Sequence, residues 1–156
     1  MDLHSNTTGL IHLITACIAL VTGTVVLLTR KGNKQHKIWG YAYTVSMVIM
    51  LLTAFMIYRL FNGFGIFHVF AVISTLTLIG GMLPLFLKTK NAVAYHLSFM
   101  YWSVMGLYAA FVSEIFTRVP EKPNGLILLA CIMVVMTIAN VVWRKKKLKW
   151  LTFNSN

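Results

Sequence analysis

Charged residues are scarce in this chain, and acidic residues are almost missing. Of its 156 residues only 11% are charged, and Asp and Glu together account for three. An average soluble domain has about a quarter of its residues charged and about half of them apolar. Here 58% are hydrophobic, so the composition excludes an ordinary soluble domain.

Several chemical motifs are also missing. The two cysteines, Cys17 and Cys131, are too far apart for a metal knuckle and are expected to be buried packing residues. No nucleotide-binding loop and no nucleophile–base motif is present. The H-E-x-x-H helix motif of zinc proteases is absent as well. The sequence therefore leaves open whether the protein is an enzyme.

Five apolar stretches are present, each long enough to cross a bilayer, which takes about 20 residues. They are too long and too continuously apolar for the strands of a membrane barrel. The turn dipeptides Asn62-Gly63 and Asn124-Gly125 separate two pairs of them. The prediction is an all-α, polytopic transmembrane helical bundle that forms a single integral membrane domain over 1–156. Its five spans are 9–29, 37–60, 64–87, 92–116 and 125–143.

The basic residues are distributed unevenly between the two ends of these spans. Most of the 14 lie in the first connection, the third connection and the tail 144–156. The positive-inside rule then predicts the N-terminus outside and the C-terminus inside. The basic cytoplasmic tail is expected to contact anionic lipid headgroups. Nucleic acid is not an expected partner, because a charge run beside a span usually sets topology.

One histidine falls in or beside each of the first four stretches, while His4 lies in the polar leader. An ionisable group at membrane depth is costly and usually marks a site. With about 1.5 Å of rise per residue, depth follows from the topology. The prediction is an outer set of His12, His68 and Glu114 and an inner set of His36 and His96.

The fourth span supports this grouping through a face with steps of four and three residues. That face consists of His96, Met100, Ser103, Leu107, Ala110 and Glu114. Glu114 is the one acid within a span, and Arg118 follows at a spacing suited to an ion pair. The second span has a similar face that includes His36 and Tyr43. Met100, Ser103, Tyr43 and Arg118 are therefore predicted to support the site.

A structural interpretation of the same residues stays open. All five groups lie near membrane interfaces, where a side chain with one wet end can anchor a helix. His36, between Lys34 and Lys37, is the clearest case of a residue that would simply contact headgroups.

Several of these residues also carry a family resemblance. The loop motif K-G-x-x-x-H-[KR]-x-x-G-x-x-Y occupies 31–43, and a second matching segment runs from His96 to Arg118. Over roughly 9–118 the chain resembles an uncharacterised family of small bacterial predicted membrane proteins, a domain of unknown function. The resemblance implies a bacterial cytoplasmic membrane protein. It singles out the same His and Glu residues without supplying an activity.

The first functional hypothesis is a b-type cytochrome-like protein that transfers electrons across the membrane. Two neutral imidazoles can hold a haem iron. His12 with His68 would hold one haem, and His36 with His96 a second. Transmembrane dihaem proteins usually place two histidines on each of two helices, whereas here four helices supply one each.

Two other hypotheses remain. His12, His68 and Glu114 would suit a zinc ion with an open position, for hydrolysis or metal handling. Methionines on the predicted faces would suit copper(I). Alternatively, the protein is a non-catalytic assembly factor, sensor or small transporter component with a proton-responsive network. Another protein or a second copy of the chain is an expected partner.

Overall fold

A computed structural model describes residues 3–57, 65–118 and 125–152 of the chain. These residues form five long helices, and no strand occurs among them. The helices are α1 (Leu3–Leu28), α2 (Lys34–Ile57), α3 (Ile66–Phe86), α4 (Ala92–Arg118) and α5 (Gly125–Thr152). The all-α prediction is confirmed.

Each of the five helices is long and apolar enough to cross a membrane. The candidate spans are Thr7–Leu28, Lys34–Ile57, His68–Phe86, Ala92–Phe116 and Gly125–Leu151. Large apolar side chains are exposed on every helix. Leu126, for example, is 77% exposed. Such surfaces are favourable against lipid tails, so the prediction of five membrane-spanning helices is confirmed. The inside–outside orientation stays a prediction.

Several helix ends differ from the predicted span limits, and two of them lie at basic segments. α2 begins at Lys34, and α5 continues through the basic run to Thr152. Lys, Arg and Leu are good helix formers, and neither Gly nor Pro follows Gly125. The part of the predicted tail at 144–152 is therefore a helical extension of α5. The predicted turns at 62–63 and 124–125 lie outside the described residues, except Gly125, which begins α5.

The chain divides into two compact units. The first, Met1–Ile79, contains α1, α2 and most of α3, and α1 packs lengthwise on α2. Ala19, Tyr43 and Met47 are fully buried there, whereas Cys17 is exposed, so the expectation that it is a buried packing residue is wrong.

The connection between α1 and α2 explains much of the loop motif. The Lys31 ammonium donates hydrogen bonds to the carbonyls of Val26 (2.8 Å) and Leu27 (3.0 Å), which end α1. Gly32 has a φ of 79°, a conformation that a side chain would disfavour. The amide oxygen of Asn33 then accepts a hydrogen bond from the backbone N–H of His36 at 2.7 Å. These residues therefore cap one helix and begin the next.

The second unit, Gly80–Asn156, contains the end of α3 together with α4 and α5. α4 packs on α5, and the Tyr101 hydroxyl donates a 2.6 Å hydrogen bond to the Ala139 carbonyl. The end of α3 approaches α4 at Gly81. A Cβ there would lie 2.6 Å from the Met100 sulfur, so the glycine lets the Met100 side chain pack directly on the α3 backbone, and a larger residue would require that side chain to shift.

Candidate functional site

His12 is held across the α1–α2 contact through one ring nitrogen. Its Nδ1 lies 3.1 Å from the Met50 carbonyl oxygen and 3.1 Å from the Thr53 hydroxyl oxygen. A carbonyl can only accept a hydrogen bond, so Nδ1 must carry the hydrogen. In the neutral ring, Nε2 then holds the lone pair that can bind a metal ion.

Two threonines support this arrangement. The Thr53 hydroxyl donates to the carbonyls of Ile49 (3.0 Å) and Met50 (2.8 Å), so its oxygen can accept from His12. The Thr15 hydroxyl donates to the carbonyls of Ile11 (2.8 Å) and His12 (3.0 Å). Both threonines are buried. Thr53 could not be predicted from sequence spacing, because its partner His12 lies 41 residues away along the chain.

His96 in α4 has the same hydrogen-bond geometry within the second unit. Its Nδ1 lies 2.9 Å from the Gly81 carbonyl oxygen, so this nitrogen again carries the hydrogen. Pro84, inside α3, supplies no N–H to the carbonyl of Gly80, the neighbour of Gly81 one turn earlier. The missing side chain of Gly81 lets α4 come close enough for the bond. His12 and His96 therefore share one tautomer when neutral.

His68 is held in the opposite way. The backbone N–H of Gly65 donates to His68 Nδ1 at 3.2 Å, and the His68 N–H donates to the Gly65 carbonyl at 3.0 Å. The first of these bonds is the half of a capping box in which the side chain of the third helical residue accepts from the N-cap N–H, and it caps the first turn of α3. Because Nδ1 accepts, the hydrogen of the neutral ring resides on Nε2, which is buried. The contact gives His68 a structural role, and its role as a ligand stays a prediction.

His36 lies in the first turn of α2, where its backbone is fixed by Asn33. Its side chain is half-buried and its Nδ1 is buried, while Lys34 and Lys37 on either side are exposed. His36 thus turns inward from the basic surface that surrounds it. The prediction that it is a ligand is left untested.

The predicted supporting residues differ in burial. Met100, Ser103 and Tyr43 are buried, and Ser103 and Tyr43 almost completely so. Glu114 is half-buried. Arg118 ends α4, but its side chain lies outside the described part of the chain, so its predicted ion pair with Glu114 stays a prediction.

The histidines and Glu114 are spread over both units. His12, His36 and His68 belong to the first unit, and His96 and Glu114 belong to the second. Among the residues that the structure describes, no group of three or more His, Cys, Asp or Glu is placed to hold a metal ion. Within that part of the chain, the candidate ligands are the single imidazoles of His12 and His96, each oriented by a backbone carbonyl.

Comparison with known proteins gives one family match. No curated protein and no solved structure matches the chain. The family model covers residues 9–143, from the first part of α1 well into α5, and so extends beyond the segment 9–118 noted from sequence motifs. The chain therefore belongs to the family described as "Predicted membrane protein (DUF2306)".

Proposed function

We propose that this membrane protein binds haem b through histidine and takes part in electron transfer within the membrane. The observation that carries the proposal is the shared geometry of His12 and His96. Metal-binding histidines almost always donate their second ring N–H to a carbonyl, a carboxylate or water, which fixes the tautomer and makes the ligand more basic. Both residues meet this requirement through Nδ1.

Haem also suits the number of ligands that the chain offers. A haem iron needs only one or two axial side chains from the protein, and it supplies one-electron chemistry when bound. His12 and His96 would each be an axial ligand through Nε2. Within the first unit His68 is the candidate for a second ligand to the haem at His12. Its hydrogen would then have to move from Nε2 to Nδ1, and the cap at Gly65 would be lost.

The test is an absorption spectrum of the protein purified in detergent after supply of haem. We expect a Soret band that weakens in His12→Ala and in His96→Ala. The control is His4→Ala, since that histidine belongs to neither set and should leave the band unchanged. A wild-type protein that takes up no haem, or equal bands in all the variants, would refute the proposal.

Thr53 offers a finer test of how His12 is positioned. Thr53→Val removes a hydrogen-bond partner of Nδ1 but keeps the side-chain shape. Loss of such a partner typically lowers affinity by about 10-fold or more, so weaker haem binding and a shifted reduction potential are expected. The matched control is Thr22→Val, because Thr22 is buried and bonds to Ile18 and Ala19 of its own helix but touches no histidine.

A second candidate, copper(I), is favoured by a methionine at the His96 contact. The Met100 side chain lies against Gly81, whose carbonyl accepts the hydrogen bond from His96. Thioether sulfur is a soft ligand that suits copper(I). A colourless protein with stoichiometric copper, lost in Met100→Leu, would support this candidate over haem.

The remaining hypotheses are outcomes of the same measurements. Stoichiometric zinc that depends on His12, His68 and Glu114 would favour a hydrolytic or metal-handling protein. A protein that binds neither haem nor metal after reconstitution would favour an assembly factor, sensor or transporter component.

A further inference from the structure

An aromatic cluster joins α4 to the C-terminal part of α5 in the second unit. The Tyr101 ring lies 5.0 Å from the Trp143 ring and 5.8 Å from the Trp150 ring, centroid to centroid. Trp102 packs on Trp143 at 6.5 Å. Tryptophan and tyrosine collect at membrane–water interfaces, where one end of the ring system is apolar and the other polar. The cluster therefore fits the level of the headgroups.

Two lysines lie over the rings of this cluster. The Lys146 ammonium is 5.9 Å from the Trp150 ring, and the Lys147 ammonium is 5.7 Å from the Trp143 ring. Cation–π attraction of this kind keeps a charged group near an aromatic face. The basic side chains of the segment 144–149 are all exposed. Their positive charge is thus presented beside the apolar part of α5.

A cavity of about 320 Å³ lies at the same end of the unit. It is lined by Thr89, Lys90, Asn91, the first turn of α4 and Leu151 of α5. The exposed Lys90 is therefore close to the C-terminal turn of α5. Glu114, the acid that the structure describes in this unit, is about 33 Å away along α4 from Ala92, so positive charge dominates this end.

We propose that this end of the second unit binds an anionic phospholipid. We name it the basic platform and define it as Lys90, Tyr101, Trp143, Lys146, Lys147, Trp150 and Leu151. The headgroup phosphate would contact the lysines and enter the cavity at Lys90 and Leu151. The acyl chains would lie along α5, where apolar residues such as Ile138 and Val141 are 59% and 47% exposed.

Charge complementarity and continuity with the lipid-facing surface of α5 favour a lipid over a protein. A protein partner would have to cover the cationic end, whereas an anionic phospholipid already meets both the charged and the apolar parts in the bilayer. Only Ala139 is buried among residues 125–151, so most of α5 presents an apolar surface that lipid tails can cover. The proposal is independent of the haem proposal, because no histidine belongs to the basic platform.

The experiment uses the full chain in vesicles and reads tryptophan fluorescence in a Trp39→Phe background, which leaves the tryptophans of α4 and α5. One vesicle set contains brominated phosphatidylglycerol with ordinary phosphatidylcholine. The other contains ordinary phosphatidylglycerol with brominated phosphatidylcholine. Brominated chains quench nearby tryptophan. The ratio of quenching in the two sets therefore measures preference for the anionic lipid at the platform.

We expect quenching by phosphatidylglycerol to exceed that by phosphatidylcholine at low salt, and the preference to shrink as salt is raised. Lys146→Gln with Lys147→Gln should reduce the preference by up to about fivefold for each lysine removed. The matched control is Lys34→Gln with Lys37→Gln, which removes the same charge from α2 and should preserve the preference. Equal quenching in the wild type, or an equal loss in both double variants, would overturn the proposal.

Discussion

At the scale of single residues, the histidines differ in which ring nitrogen carries the hydrogen. Their positions in the sequence could not predict this difference. His12 and His96 give their Nδ1 hydrogen to carbonyls that lie 38 and 15 residues away in the chain. Such partners emerge only from packing, so the tautomers could not be predicted. The partner of His68 is local, because Gly65 precedes it by three residues. That cap could have been predicted from the sequence only if the first residue of α3 had been known.

The cap at His68 can be separated from a ligand role. His68→Ala removes the hydrogen bond to the Gly65 N–H and should lower the free energy of unfolding by about 1 kcal/mol in the protein without cofactor. His68→Gln should restore most of that stability, since a glutamine side chain at this position can also accept a hydrogen bond from the Gly65 N–H. Thermal unfolding in detergent measures both effects. If His68→Ala were as stable as the wild type, the capping role would be contradicted. If both His68→Ala and His68→Gln lost a Soret band that the wild type shows, His68 would be a haem ligand.

At the scale of the elements, hydropathy was sufficient to predict where the helices lie. The residues at which they begin and end depend on local hydrogen bonds. The start of α4 was predicted at residue 92 and is observed there. The end of α5 was not predicted, because a basic run marks where a chain leaves the membrane and not where a helix stops. From the sequence, the loop motif was only a pattern of residue types without assigned roles. The structure shows that Lys31, Gly32 and Asn33 have capping roles within it.

Replacement by alanine should have opposite effects on stability at Gly32 and Gly40, the two glycines of the loop motif. Gly32→Ala places a side chain at a φ of 79° and should destabilise the protein by about 1–2 kcal/mol. Gly40→Ala lies within α2 with nothing within 4 Å of the new Cβ, so it should stabilise by about 0.5–1 kcal/mol. Thermal unfolding of the two variants side by side provides the measurement. A Gly32→Ala protein as stable as the wild type would contradict the capping role of the turn.

At the scale of the whole molecule, composition and long apolar runs were sufficient to predict five spanning helices, whereas the family was indicated by the resemblance carried by the loop motif and the segment 96–118. The pairing of α4 with α5 was not predicted. It depends on Tyr101 reaching Ala139, a contact 38 residues apart in sequence. Candidate site residues were placed on the right helices, but their roles depend on which backbone carbonyl each one meets.

Membrane orientation rests on the basic residues alone and is directly testable. A reporter fused after Asn156 should read as cytoplasmic, and one fused after Asn62 should read as external, because the first and third connections and the tail carry most of the positive charge. Fusion after Asn33 serves as an internal control and should agree with the C-terminal reporter. The reverse pattern would exchange the outer and inner assignments of every histidine.

The exposed surface of α5 links the molecule to the thickness of its bilayer. The apolar part of α5 before Arg144 is roughly 28 Å long, close to a hydrocarbon core of about 30 Å, while its basic turns extend beyond. In a thicker bilayer the helix would stand more upright or draw Trp143 inward, and in a thinner one it would tilt. The Tyr101 hydroxyl is hydrogen-bonded to the Ala139 carbonyl and the Tyr101 ring packs on Trp143, so a change in the tilt of α5 would act on α4, the helix that carries His96. Lipid chain length is therefore expected to act on the candidate ligand through the contacts between α4 and α5.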